Sequence, residues 1–107
     1  MSNVVIKPTV GRKVWYRPSK TDLQGPIPMS VAGSVQAGTA EPLDGTVLAV
    51  WSDRCVNVLV LDTQGKPFTK TSAMLLQPGD EPFKDGEGNV VGGYVEWIPF
   101  QTAQTAK

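Results

Sequence analysis

Residues 46–62, TVLAVWSDRCVNVLVLD, are two apolar runs rich in β-branched side chains, separated by the polar triplet Ser52-Asp53-Arg54. No other stretch of the chain holds hydrophobic material so densely. Short valine-rich runs suit strands better than helices, and a short polar break between them suits a tight hairpin turn. The pattern therefore predicts strands over 46–51 and 55–61. Alternation along the second strand sets Val56, Val58 and Val60 on one face and Cys55, Leu59 and Leu61 on the other, interrupted by Asn57. A strand apolar on both faces is expected to be covered on both: by a barrel interior on one side, and by a loop, a chain end or a partner on the other.

The same stretch carries no catalytic chemistry, and composition extends that conclusion to the whole chain. Histidine is absent and Cys55 is the only cysteine, which removes disulfide frameworks, Cys/His zinc sites and every histidine-based triad. Cys55 reads as a small buried hydrophobe. Asp44, Asp53, Asp62, Asp80 and Glu81 fall at expected turns or strand ends, where solvated turn chemistry accounts for them. Lys70 and Ser72 share a strand face by alternation, in the manner of a Ser–Lys dyad, without donors for an oxyanion. The segment 86–92, GEGNVVG, lacks phosphate-loop spacing, and Asp85 and Glu87 would repel a phosphate. The expectation is a protein that is not an enzyme, with no metal, no cofactor and no small-molecule substrate.

A chain of 107 residues is expected to form one β-barrel domain, with its core over about 11–100 and 101–107 as a flexible polar tail. No leader-like segment opens the sequence, and no apolar run approaches the roughly 18 residues that span a bilayer. A soluble protein made in a cytoplasm, without membrane contact, is the expectation. Ten basic and ten acidic residues cancel, so net charge argues for neither nucleic acid nor anionic membrane. The distribution is uneven, however. Lys7, Arg12, Lys13, Arg17 and Lys20 occupy the first twenty residues without an acid, whereas Asp80, Glu81, Asp85 and Glu87 crowd 80–87 against Lys84 alone. Such a split could align copies head to tail.

Turn residues set the remaining boundaries. Gly11 and Pro18 bracket a strand over 13–17, with Val14 and Tyr16 inward and Lys13, Trp15 and Arg17 outward. Val4-Val5-Ile6 reads as a minor strand or a tail packed across the barrel end. Residues 21–42 are rich in Gly, Pro, Ala, Ser and Thr and read as a long loop, itself a weak sign of function. Asp62-Thr63-Gln64-Gly65 reads as a type I turn with a left-handed glycine, followed by a strand over 68–77. Residues 85–89 suit the tip of a small hairpin flanked by Phe83 and Val90-Val91, and a last strand covers 94–98 before Pro99.

This order, a strand, a long loop, a three-stranded meander, an irregular turn and a final strand, resembles the SH3-like barrel over about 11–99. The expected fold is all-β: a small five- to six-stranded SH3-like barrel with a long loop after the first main strand, an OB-like barrel being the alternative. The segments 11–18 (GRKVWYRP), 51–58 (WSDRCVNV) and 92–101 (GGYVEWIPFQ) are similar to those of small uncharacterised proteins of tailed bacteriophages and prophages. That resemblance implies a phage origin and no particular activity. It implies host cytoplasm when made, or the virion.

Two candidate surfaces follow. The first is a protein-binding face from the long loop and the hairpin turn, comprising Met29, Val31, Trp51, Asp53 and Arg54, for a protein partner such as a second copy or a phage head or tail protein. The second is a nucleic-acid face, in which alternation sets the Trp15 indole between Lys13 and Arg17, with Arg12 and Lys20 close by. Trp51 and Trp97 are expected to pack in the core or at its rim, because each continues an apolar alternation. An exposed member of that pair would turn its surroundings into a binding face.

Overall fold

The structure, a computed structural model, describes residues 5–33 and 40–99. The expected 101–107 tail lies outside the described residues, as do Val4 and the 34–39 part of the long loop. Strands β1 (Lys13–Arg17), β2 (Leu43–Ser52), β3 (Cys55–Leu61), β4 (Pro67–Leu76) and β5 (Tyr94–Glu96) form the sheet, and a short helix α1 (Lys20–Gln24) follows β1. The strands close into a barrel in the order β1-β2-β3-β4-β5. β5 completes the ring by pairing antiparallel with β1 and parallel with β4. The chain is therefore all-β with a small SH3-like barrel, and its consecutive strand order differs from the Greek-key connection of an OB-like barrel.

Alternation places the core as the sequence implies. Val14 and Tyr16 of β1, Val56, Val58 and Val60 of β3, and Val47, Leu75 and Val95 of the neighbouring strands are all buried. Each such aliphatic side chain contributes about 1.5–3 kcal/mol through removal from water. Closure depends on a close approach between β5 and the end of β1. The Gly93 amide donates to the Arg17 carbonyl at 2.6 Å, and a Cβ on Gly92 would sit 1.9 Å from the Pro18 carbonyl oxygen. Only glycine fits at 92.

The expected loop over 21–42 is partly structured. Ser19 Oγ accepts the Asp22 amide at 3.1 Å while an Asp22 carboxylate oxygen accepts the Ser19 amide at 2.9 Å, a reciprocal cap that starts α1. The chain then docks on the barrel. The Met29 amide donates to the Asp22 carbonyl, the Ser30 amide to Asp62 Oδ2, and the Thr63 amide to the Ser30 carbonyl. Met29 is only 4% exposed and belongs to the core, with Val31 packed against it. This corrects the expectation that Met29 faces a partner: docking the loop buries it within the chain, while Val31 is half-buried.

The outer face of β3 corrects a second expectation. Cys55, Leu59 and Leu61 are half-buried, and among the described residues they keep partial access to solvent rather than full cover. No helix among the described residues is long and apolar enough to cross a membrane.

Candidate functional site

The end of the β2–β3 hairpin departs most from simple alternation. β2 carries irregularities between Val47 and Ala49 and between Val50 and Ser52, where it spends one residue more than β3. Each extra residue reverses the side to which later side chains point. Val47 points inward opposite Val58, whereas Ala49 lies opposite the half-buried Asn57. Trp51 accordingly stands 63% exposed. This overturns the expected core or rim packing of Trp51, because a bulge resets the period from which that packing was read. Trp97 keeps its expected place in the core at 4% exposure.

Trp51 is nevertheless held. Its Nε1–H donates to Asn57 Oδ1 at 3.0 Å, and the same oxygen accepts the Ser72 amide at 2.7 Å. Ser72 has φ +51° and sits where β4 spends an extra residue against β3, between the Val56–Ala73 and Val58–Lys70 pairs. A left-handed backbone at a non-glycine residue costs on the order of 1 kcal/mol, which the amide bond to Asn57 helps offset. Asn57 thus fixes both the bulge and the indole. Leu48 and Val50, close along the same strand, are also exposed. The hairpin therefore presents Leu48, Val50 and an oriented Trp51 to solvent.

The charged members of the expected protein-binding face are engaged within the chain. Arg54 grips Asp80 with two bonds, Nε to Oδ2 at 2.8 Å and Nη2 to Oδ1 at 3.2 Å. Arg54, together with the Gln77 amide, holds the Asp80 carboxyl below its usual pKa. Asp53 lies 3.7 Å from Lys7 in an exposed ion pair. Arg54 and Asp53 thus brace the turn beside Trp51; exposed pairs of this kind are screened by solvent and add little stability.

The expected basic face is brought together by β1, but acids from β2 and β5 come with it. Trp15 lies opposite Asp44 on one side and Glu96 on the other. Lys13 Nζ reaches Asp44 Oδ2 at 3.1 Å and Thr46 Oγ1 at 2.9 Å. Arg17 pairs with Glu96, donates to the Ala40 carbonyl at 3.2 Å and lies 5.8 Å from the Trp15 ring centroid. The Arg12 guanidinium lies 5.1 Å from the Trp97 ring, and Lys20 is exposed at the start of α1. The cations Lys13 and Arg17 are neutralised where they stand, which leaves little potential for a phosphate backbone.

Asp62, expected as a solvated turn residue, is buried and accepts the Ser30 amide, and two further buried polar groups escaped the sequence reading. Asp22 is buried, and its carboxylate accepts from the Tyr16 hydroxyl, the Lys70 ammonium and the Ser19 amide. Burial pushes the Asp22 pKa up, but Lys70, the Ser19 amide and Tyr16 together outweigh it and leave the carboxyl below its usual value. Burial, and then Asp22, raises the Tyr16 phenol above its ordinary range. The Ser19-x-x-Asp22 spacing was the one signal available for this site. Lys70 is committed to Asp22, and the bulge separates it from Ser72, so no Ser–Lys dyad forms.

Gln77 is the second group. Its Oε1 accepts from the Ile6 amide at 2.9 Å and from Trp97 Nε1–H at 3.1 Å, while Nε2 donates to the carbonyls of Ile6 at 2.9 Å and Asp53 at 2.7 Å. It ties the N-terminal segment, the hairpin turn and the end of the barrel together. Nothing in the local sequence marks it.

Among the described residues no group of three or more His, Cys, Asp or Glu side chains is placed to hold a metal ion. No family model, curated protein or solved structure matches the chain.

Proposed function

We propose that this chain is a non-enzymatic protein-interaction module whose contact face is the end of the β2–β3 hairpin, with Trp51 as the anchor. The observation that carries the reading is the exposed indole, 63% accessible yet oriented by its bond to Asn57. Exposing so large an apolar ring gains nothing for folding, whereas tryptophan is among the residues that most often dominate binding energy at interfaces. Fixing the ring before contact lowers the entropy lost on association. The similarity of 11–18, 51–58 and 92–101 to tailed-phage proteins supplies the setting, a virion component or accessory protein whose partner is a head or tail protein.

The experiment is co-purification of wild type and Trp51→Ser with the proteins encoded by the genes neighbouring this one. The expected result is a partner retained by wild type and lost by Trp51→Ser, with circular dichroism unchanged. A partner bound equally by both proteins overturns the reading. So does salt-sensitive binding of single-stranded DNA that disappears in Lys13→Glu plus Arg17→Glu, which would install the nucleic-acid face in its place.

A further inference from the structure

Away from Trp51, a cleft of about 410 Å3 opens between the stretch around α1 and the start of β4. Pro26, Ile27, Pro67 and Phe68 supply apolar walls; Lys66 brings an ammonium group, and Lys70 a second that is paired with Asp22, itself part of the lining. Register explains their placement. Phe68 and Lys70 lie opposite the inward-facing Val60 and Val58, so both side chains leave β4 on its interior side. The Lys66 ammonium sits 5.7 Å from the Phe68 ring centroid, and Lys70 keeps 31% of its side chain exposed while paired with Asp22. Asp22 offsets the charge of Lys70, so Lys66 is the cation that marks the rim of the cleft. The chemistry that fits is a large apolar side chain flanked by carboxylates.

The chain itself carries such a group. Phe83 is 66% exposed and sits in Glu81-Pro82-Phe83-Lys84-Asp85, inside the acid-rich stretch 80–87. Its backbone is fixed: the Val91 amide donates to the Phe83 carbonyl at 2.8 Å, and Lys84 bridges to Val90. Asp85 Oδ1 closes the following turn by accepting the amides of Glu87 at 2.9 Å and Asn89 at 3.0 Å. The segment thus holds an aromatic ring between Glu81 and Asp85, with Lys84 as the one cation beside it, on a formed hairpin base. Neither Phe83 nor Glu81 or Asp85 lines the cleft of its own chain.

We propose that a second copy of the chain inserts Phe83 into this cleft, with Glu81 and Asp85 facing Lys66 at its rim. Two different patches meet in such a contact: exchanged reciprocally they close a two-fold dimer, and used one way they propagate into a ring or an open array. It uses none of the Trp51 face and stands or falls apart from the function proposed there. Opposite charges at the rim set orientation and make the association weaken with salt.

The test uses two variants, each removing one patch by changing an exposed residue. Phe83→Ser keeps the cleft, and Ile27→Glu keeps the Phe83 segment. In sedimentation velocity, wild type should show concentration-dependent association that salt weakens. Each variant alone should remain monomeric, with dissociation constants weakened roughly 30-fold or more. An equimolar mixture should form a 1:1 dimer and stop there, since only one productive interface remains. Trp51→Ser should associate like wild type. A wild type that stays monomeric at every concentration overturns the proposal, as does association that survives Phe83→Ser or a variant mixture that fails to pair. Circular dichroism of each variant separates loss of contact from loss of fold.

Discussion

Two tryptophans make the same hydrogen bond in opposite surroundings. Trp97 Nε1–H donates to Gln77 Oε1 at 3.1 Å and Trp51 Nε1–H donates to Asn57 Oδ1 at 3.0 Å, yet the first ring is 4% exposed and the second 63%. At the Trp97 end the ring belongs to the core cluster, and its amide partner also binds the N-terminal segment and the hairpin turn. At the Trp51 end the amide partner holds a strained bulge, and the ring itself covers nothing of the core. The hydrogen bond therefore does not separate a structural tryptophan from an available one. Burial does, because area removed from water is the larger energy.

The largest test of this contrast is Trp97→Ala, expected to lower unfolding free energy by about 3–5 kcal/mol through lost burial and a cavity. Urea denaturation monitored by circular dichroism measures it. A loss below about 1 kcal/mol, the scale of one hydrogen bond, would show that the Trp97 end is not a core. Next come the amide partners. Gln77→Ala strips buried groups of Ile6 and Trp97 of partners and should cost about 2–3 kcal/mol, whereas Asn57→Ala, in an exposed setting, should cost about 1 kcal/mol. Equal losses at the two positions would erase the distinction between the ends.

Acid sharpens the comparison by reporting on Asp22, which titrates at neither tryptophan. Its pKa is lower in the folded chain than in the unfolded one, so its contribution is present above the ordinary carboxyl range, near pH 4, and is lost as pH falls through the folded value. Asp80 and Asp62 are shifted in the same direction and add to the decline. Lys70→Met removes the strongest group opposing burial of Asp22, so its stability should fall less steeply than wild type between about pH 5 and pH 2. Denaturation midpoints across that range decide it; parallel curves would show that Lys70 does not set the Asp22 pKa. The smallest effect is at Trp51→Ala, expected to change stability by no more than about 0.5 kcal/mol. A loss comparable to that of Trp97→Ala would make Trp51 a structural staple and remove the reason for assigning it to binding.

Much of the barrel was legible because its strands obey a period of two between clear breakers. Pro18 and the Ser52-Asp53-Arg54 triplet mark ends that agree with β1 and β3, and Gly65 adopts the left-handed turn expected of it, with φ +81°. The candidate site was less legible. Trp51 was placed by counting along β2, and the bulges invalidate that count without leaving a mark in the residues. Met29 looked available for a partner because its loop is rich in Gly, Pro and Ser, but Asp62 accepts the Ser30 amide and draws the loop onto the barrel. The basic face gained acids for a related reason: Asp44 and Glu96 are remote from Trp15 in sequence and adjacent to it in the sheet.

The sequence by itself determined that the chain is a small all-β protein, that Val56, Val58 and Val60 fill its interior, and that histidine- and disulfide-based chemistry is excluded. These follow from local periodicity, turn residues and composition, each readable without knowing what lies across the sheet. Only the tertiary structure decided that Asp22 would bury against Tyr16 and Lys70, that Gln77 would join three segments, and that Trp51 would face outward. Each depends on which strand comes alongside and with what register, because a polar group is satisfied, and a side chain hidden, only by what stands opposite it.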